Sequence, residues 1–303
     1  MNRLRILPSA VILLIAASFS RTPAAVTVTD DLGHDITVRT PVRRIVSLAP
    51  NITELLFAAG AGDLVTGAVR YSNYPPAAKN IARVGDTHNL DIEEIVSLDP
   101  DLVIAWQSGN GPAIIKRLKD LGYRVYVSEP ANIEAIAKTI RDLGNLSGHS
   151  GRAARVSSRF VSELHGLERQ YEGRRPVTIF YQIWNQPLFT VNGKHVISEV
   201  IRLCGGHNIF HDLPTLSARV SLEAVLAANP EVIIASGADD KRPPWLKDWY
   251  HWPSLQAVKA NHIFFIPPDL IQRNTPRILQ GARMMCNFID TARKSTGAES
   301  KNQ

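Results

Sequence analysis

Apolar and polar positions alternate along the chain in two ways, which together predict strands separated by helices. Short apolar runs, such as Leu102 to Ala105 and Val125 to Val127, are typical of buried strands. Longer segments with apolar residues at helical spacing lie between such runs, as from Ala113 to Leu121 and from Ile133 to Leu143. Strands separated by helices of this length predict βαβ units and mainly parallel sheets.

The first long helix is predicted directly after a short apolar strand that begins at Arg44. Asn51 is suited to cap this helix, Glu54 follows three residues later, and Gly60 is suited to end it. This spacing is that of a capping box, in which the glutamate bonds within the first turn of its own helix. The sequence therefore gives Glu54 a local role.

One segment, from Ser150 to Glu172, departs from the alternating pattern. It contains no proline, and its apolar residues recur at helical spacing over its whole length. The strand–helix pattern then restarts at Val177, so this segment predicts a single long helix between two lobes.

The predicted fold class is therefore α/β, with two lobes built on mainly parallel sheets and joined by that one helix. The predicted boundaries are a signal peptide at 1–25, a first lobe at 26–147, a linking helix within 148–174, a second lobe at 175–295 and a polar tail at 296–303.

Two segments, one in each predicted lobe, resemble each other. Glu93 precedes Pro100 by seven residues, as Glu223 precedes Pro230, and an apolar run follows each proline. Each segment predicts a helix, an Asp/Asn-Pro turn and a buried strand. Two unrelated segments of this type can look alike by chance, but the shared glutamate, proline and strand favour an internal duplication.

The first 25 residues have the features of a secretory signal peptide. Arg3 and Arg5 precede an apolar run from Ala10 to Phe19, and the segment ends with Ala24 and Ala25. The run is shorter than the roughly 20 apolar residues that a membrane-spanning helix needs. We therefore favour a cleaved signal and a periplasmic location over a membrane anchor.

The net charge and the cysteine content indicate which partners and which covalent links to expect. The net charge of +6 would fall to +3 on cleavage, because three arginines and no acids are lost, and no Lys/Arg run is present. This excludes nucleic acid as an expected partner. In an oxidising compartment the two cysteines, Cys204 and Cys286, favour a disulfide over two separately buried thiols.

The chain lacks the motifs of common catalytic and metal sites. It contains no Gly-x-Ser-x-Gly elbow, no phosphate-binding Gly-Lys-Ser/Thr loop and no His-Glu-x-x-His. His207 and His211 are four residues apart, but in a loop-like segment, so ordinary surface histidines are favoured over metal ligands. We predict a protein that is not an enzyme and has no metal site or cofactor.

Aromatic residues lie instead where parallel sheets bind ligands, beyond the carboxyl ends of strands. Tyr71 and Tyr74 share a turn, Trp106 follows a strand, and Tyr181 with Trp184 occupies the matching place in the second lobe. Any one of them could belong to a core. Together they favour a cleft for a large, partly apolar ligand.

The chain resembles the periplasmic binding proteins of the cobalamin, haem and iron-siderophore type, whose two lobes are joined by one rigid helix. Within that family it is most similar to the cobalamin-binding members, because of the Tyr71 turn, Trp106 and the Cys204/Cys286 pair, which matches a disulfide of those members. The resemblance is carried by Arg44-Ile-Val-Ser-Leu-Ala-Pro-Asn-Ile-Thr-Glu-Leu, Tyr71-Ser-Asn-Tyr-Pro-Pro, Ile95-Val-Ser-Leu-Asp-Pro-Asp-Leu-Val-Ile-Ala-Trp, Leu203-Cys-Gly-Gly-His-Asn-Ile-Phe and Thr275-Pro-Arg.

The resemblance implies where a ligand would bind. It implies cobalamin contacts at Tyr71, Trp106, Asp269 and Arg273, with Pro50 at the floor of the cleft. Family members carry further tryptophans where this chain has Thr87 and a residue near Ser217. Because these tryptophans are absent here, the alternative ligand is an iron-siderophore or haem, which other members of the family bind with the same scaffold.

The resemblance also implies a partner. Glu93 and Glu223 match two surface acids that dock onto arginines in the membrane permease subunits of an ABC importer. The expected function is a monomeric periplasmic protein that captures cobalamin and delivers it to that importer. A ligand-sensing interaction protein without a permease is the alternative from another class, and the matched pair of acids argues against it.

Overall fold

The computed structural model describes residues 25–39 and 41–299, with the backbone alone for 296–299. The predicted signal peptide, apart from Ala25, lies outside the described residues. The fold is α/β, with two lobes and one long helix between them, as the sequence predicts.

The first lobe is built on a five-stranded parallel sheet with the strand order β5-β4-β3-β6-β7. An antiparallel hairpin of β1 and β2 precedes it. The strands are β1 (Ala25–Thr29), β2 (Asp35–Arg39), β3 (Ile45–Ser47), β4 (Val65–Ala68), β5 (Ala82–Arg83), β6 (Leu102–Trp106) and β7 (Val125–Ser128), and the helices are α1 (Pro50–Ala59), α2 (Ile92–Ser97), α3 (Gln107–Asp120) and α4 (Ala135–Leu146).

The linking helix α5 (Ser150–Tyr171) is 22 residues long and packs closely against α4. A Cβ added at Gly144 of α4 would lie 2.1 Å from the Cβ of Ala153, so these two helices approach each other where α4 has no side chain. Phe160 and Leu164 are buried on the same face of α5. Their apolar contacts hold the linking helix against both lobes, since they belong to a core cluster that contains residues of each.

The second lobe has a four-stranded parallel sheet with the strand order β10-β8-β12-β13, and β9 pairs with β11 in a separate antiparallel ribbon. The strands are β8 (Val177–Gln182), β9 (Phe189–Val191), β10 (Gly206–Asn208), β11 (Ser217–Arg219), β12 (Val232–Ala235) and β13 (Ile263–Phe265). The helices are α6 (Val196–Leu203), α7 (Leu222–Ala228), α8 (Gln256–Lys259), α9 (Pro268–Ile271) and α10 (Ile278–Glu299). The predicted boundary at 295 falls inside α10, so only residues 300–303 of the predicted tail lie outside the described part.

The two segments that resemble each other in sequence also match in structure. Asp91 caps α2 by accepting a hydrogen bond from the backbone N–H of Glu94, and Ser221 caps α7 in the same way. Asp99 and Asn229, which precede the matched prolines, both adopt left-handed backbone, with φ of 42° and 44°. Each segment leads into a central strand of its sheet, which supports the predicted duplication.

Cys204 and Cys286 form the predicted disulfide, which links the end of α6 to α10 across 82 residues. We expect the double substitution Cys204→Ala/Cys286→Ala to lower the free energy of unfolding by roughly 2–4 kcal/mol, because the cross-link restricts the unfolded chain. Denaturant unfolding of both proteins, with and without reductant, measures this difference. Reductant should weaken the parent protein alone, and equal stability of the two proteins in the absence of reductant would contradict the expectation.

Candidate ligand-binding cleft

A cleft with a volume of about 330 Å³ lies between the two lobes. Its walls come from the last residue of β6 and from segments that follow strands β3, β5, β12 and β13, so it opens at the carboxyl ends of both sheets. The residues that line it are Pro50, Asn51, Thr87, His88 and Trp106 from the first lobe, and Gly237, Ala238, Pro268, Asp269, Gln272, Arg273 and Asn274 from the second.

Trp106 is held in place by Asn110, one turn later. The Asn110 side-chain oxygen accepts the backbone N–H of Trp106 at 2.7 Å, and its amide nitrogen donates to the carbonyls of Leu48 and Thr87, both at 2.9 Å. The indole also packs directly over Gly109, where an added Cβ would lie 2.1 Å from the ring. The tryptophan wall of the cleft is therefore preorganised.

Two buried polar atoms in the cleft lack a hydrogen-bond partner within the described part of the chain. They are the indole Nε1 of Trp106, a donor, and the side-chain Oδ1 of Asn274, an acceptor. They lie on opposite lobes of the same cavity. An unpaired buried polar atom costs about 1–3 kcal/mol, so each of these residues has an unmet hydrogen-bonding capacity just behind the surface of the cleft.

Glu54 connects the two lobes beneath the cleft. Its carboxylate, with 2% of the side chain exposed, accepts hydrogen bonds from Arg273 Nη1 at 2.8 Å and from Arg277 Nε and Nη2 at 2.8 and 2.6 Å. These contacts correct the predicted capping box. Helix α1 begins at Pro50 without a side-chain cap, and Glu54 pairs with residues of the other lobe instead.

Arg273 extends this network to the cleft wall and to the turn that begins at Tyr71. It pairs with Asp269 at 2.8 Å, and donates to Asn73 Oδ1 at 3.2 Å and to the Tyr71 carbonyl at 3.4 Å. Burial raises the pKa of the Asp269 carboxyl, and Arg273 partly offsets that effect. The guanidinium of Arg277 lies 3.9 Å from the ring centroid of Tyr74, a cation–π contact.

The structure brings four of the predicted ligand-binding residues together, namely Pro50, Trp106, Asp269 and Arg273, which all line the cleft. Tyr71 lies beside them, with 76% of its surface exposed and a left-handed backbone (φ 64°). Its carbonyl is tied to Arg273, so its position relative to the second lobe is set by the network that Glu54 anchors.

Tyr181 and Trp184 do not line this cleft, which corrects the prediction for these two residues. Tyr181 is fully buried, and its hydroxyl lies 2.5 Å from Ser236 Oγ inside the second lobe. Both faces of this sheet are covered, because Phe180 and Gln182, which face the opposite side of β8, are buried as well. Trp184 lies in the β8–β9 connection, where its indole N–H donates to the Gln186 carbonyl at 3.1 Å.

Glu93 and Glu223 occupy matching exposed positions in the first turns of α2 and α7. The pKa of the Glu223 carboxyl is lowered by a hydrogen bond with its own backbone N–H, and then by the Ser221 hydroxyl. Both acids therefore lie at helix N-termini, where a negative charge is favoured.

The described residues hold no group of three or more His, Cys, Asp or Glu side chains arranged to bind a metal ion. Among the helices of residues 25–39 and 41–299, none combines the length and the apolar character needed to cross a membrane.

The cleft contains residues that no sequence pattern marked as ligand-binding. Asn51, His88 and Gln272 line it, and Arg277 completes the pairing of Glu54. Arg277 lies in the Thr275-Pro-Arg motif, so the motif pointed to it, but nothing in the sequence pointed to its partner 223 residues away.

Comparison with known proteins agrees with the two-lobed fold and the interlobe cleft. The family model described as periplasmic binding protein matches residues 45–270. The chain belongs to this family of periplasmic binding proteins.

Two relatives are similar to this chain over most of its length. The vitamin B12-binding protein of Vibrio cholerae is 35% identical over 254 residues, which are 84% of this chain and 91% of that protein. The counterpart of the same name from Photorhabdus laumondii is 34% identical over 247 residues, which are 82% and 88% of the two chains.

Solved structures agree with these relatives. The crystal structure of the periplasmic vitamin B12 binding protein BtuF of Vibrio cholerae matches with a TM-score of 0.78 and 35% identity, over 84% of this chain and 99% of that one. The periplasmic haem-binding protein RhuT from Roseiflexus matches with a TM-score of 0.70 and 23% identity, over 83% and 99%, which is a likeness of fold alone.

Proposed function

We propose that this chain captures cobalamin in the interlobe cleft and delivers it to an ABC importer. The observation that carries the proposal is the convergence of Trp106, Asp269 and Arg273 on one cleft, in a chain 35% identical to vitamin B12-binding proteins. The protein acts by binding alone, without chemical conversion of its ligand. It works in the periplasm after removal of the signal peptide predicted at residues 1–25.

The chemistry of the cleft suits a corrinoid. The corrin ring has apolar faces and a rim of amide side chains, so it needs both an aromatic wall and polar partners. Trp106 supplies the wall, and the ion pair of Asp269 with Arg273 supplies charged hydrogen-bonding groups. Asn51, Gln272 and Asn274, which also line the cleft, add amide side chains that can hydrogen-bond to the rim of the ring.

Delivery requires a docking surface, and the duplicated acids provide one on each lobe. Glu93 and Glu223 are both exposed at the starts of equivalent helices. Two symmetric acids fit two equivalent permease subunits, each presenting arginine to one lobe. Charge complementarity of this kind chiefly guides approach and register.

Calorimetric titration tests the ligand. Cyanocobalamin should bind, whereas a ferric siderophore and haem should give weak signals or none. Trp106→Ala should weaken cobalamin binding at least about tenfold, or ~1.4 kcal/mol, because a central aromatic contact is lost. The matched control is Trp184→Ala, which removes an exposed tryptophan outside the cleft and should bind normally. A siderophore signal with no cobalamin signal would overturn the proposal.

A further inference from the structure

His88 lines the cleft, although it lies in no recognisable sequence motif. Among the residues that line this cavity it is the one histidine, and a neutral imidazole is a common ligand for transition metals. Asp269, the one carboxylate in the lining, is already paired with Arg273 at 2.8 Å. Among the residues that line the cleft, His88 is therefore the candidate metal ligand.

The loop that carries His88 is held rigidly. Asp86 Oδ1 accepts the backbone N–H groups of His88 and Asn89 at 3.1 and 2.8 Å, and Arg70 pairs with the other carboxylate oxygen of Asp86 at 2.5 Å. The Thr87 carbonyl accepts from Asn110, the residue that also positions Trp106. The backbone of His88 is thus fixed relative to the tryptophan wall.

The imidazole of His88, in contrast, is uncommitted. Within the described part of the chain its ring nitrogens take part in no hydrogen bond and no ion pair; only its backbone N–H is bonded, to Asp86. An exposed ring on a fixed backbone can present a nitrogen lone pair to a ligand in the cleft.

One imidazole cannot hold a free metal ion, but it is sufficient for a metal inside a planar macrocycle. Such a ring supplies four equatorial nitrogens, so the protein needs to supply only an axial donor. The described residues contain no cluster of metal-binding side chains that could hold a free ion. A metal that is already held in a macrocycle is therefore the kind that His88 could bind.

We propose that His88 is an axial ligand to the metal of a bound tetrapyrrole-type macrocycle, either a cobalt corrinoid or an iron porphyrin. This inference rests on the proposed function and extends it to the preferred form of the ligand. The step is an exchange in which the imidazole nitrogen donates its lone pair to the metal, and the water bound at that axial position leaves. The metal keeps its oxidation state.

The test compares ligands with and without an exchangeable axial position. Aquocobalamin carries an exchangeable water, whereas cyanocobalamin carries cyanide on one face and its own nucleotide base on the other. Binding to the parent protein should shift the visible absorption bands of aquocobalamin to those of an imidazole complex and leave those of cyanocobalamin in place. His88→Gln should abolish the shift and weaken aquocobalamin binding at least about tenfold more than it weakens cyanocobalamin binding, because the lost metal bond forms with aquocobalamin alone.

His207→Gln is the matched control, because His207 is also exposed but lies on β10, outside the cleft, and its variant should keep the shift. Calorimetry of the same samples separates the two proposals. Aquocobalamin binding without a band shift would overturn the role of His88 and leave cobalamin capture intact. A haemin band shift that His88→Gln abolishes, with no corrinoid binding, would support axial ligation and overturn cobalamin as the cargo.

Discussion

Replacing Glu54 with glutamine is expected to destabilise the protein and weaken ligand binding together. The substitution keeps the shape of the side chain but removes a negative charge that is 2% exposed and faces Arg273 and Arg277, whose side chains are 15% and 14% exposed. Removing one partner of a buried ion pair leaves the other charges uncompensated, so we expect a loss of roughly 3–5 kcal/mol in the free energy of unfolding.

The effect on binding follows from the contacts of Arg273. This arginine is held by Glu54 on one side and by Asp269, which lines the cleft, on the other. Without the Glu54 charge, Arg273 keeps its contacts with Asp269 and Asn73 but loses its buried anchor, so the cleft loses part of its preorganisation. Denaturant unfolding and calorimetry with cobalamin measure the two effects on one preparation.

Glu163→Gln is the control for Glu54→Gln. Glu163 also pairs with two arginines, Arg159 at 2.8 Å and Arg283 at 2.5 Å, but it is 32% exposed and does not line the cleft. A pair so open to water is worth about 0–1 kcal/mol, so this variant should remain close to the parent in stability and affinity. Equal stability of the Glu54 and Glu163 variants would contradict a central role for Glu54.

Charge reversal at the two docking acids is expected to abolish uptake while leaving ligand binding intact. Glu93→Arg and Glu223→Arg place positive charge where we propose that the permease subunits present arginines, so the encounter becomes repulsive. Both positions are exposed and neither lines the cleft, so the double variant should fold and bind cobalamin normally. Energy-dependent uptake into vesicles that contain the importer, alongside calorimetry, measures both properties.

Glu172→Arg with Asp212→Arg changes the net charge by the same amount at exposed acids outside α2 and α7. This control should transport normally, which separates docking from a general effect of charge. Uptake by the Glu93/Glu223 variant at the parent rate, or loss of its cobalamin binding, would argue against the docking assignment.

The order of elements could be predicted from the sequence because it depends on local periodicity. The continuous helical spacing after Ser150 predicts the linking helix, and α5 runs from Ser150 to Tyr171. The repeated Glu–Pro segments predict two equivalent helix–turn–strand units, and the left-handed residues Asp99 and Asn229 mark the same place in both.

The interior of the site could not be predicted in this way. Glu54 satisfies a local capping pattern, but its partners are 219 and 223 residues away, and local spacing carries no information about such pairs. Tyr181 lies one residue before the end of β8, close to where a pocket residue would be, yet its side chain is in the core because both faces of the sheet are covered. How far that cover extends along a strand depends on the packing of the whole lobe.

The apolar cluster that runs from the first lobe through α5 into the second has a consequence for unloading. Because Leu55, Phe160 and Ile201 belong to one core, wide separation of the lobes would expose apolar surface to water at roughly 25 cal/mol per Å². A wide spontaneous opening of the lobes is therefore unfavourable, so we do not expect the ligand to be released in that way. A partner that binds both lobes must therefore supply the free energy that separates them. Ligand capture is driven by binding, whereas ligand release depends on free energy from that partner.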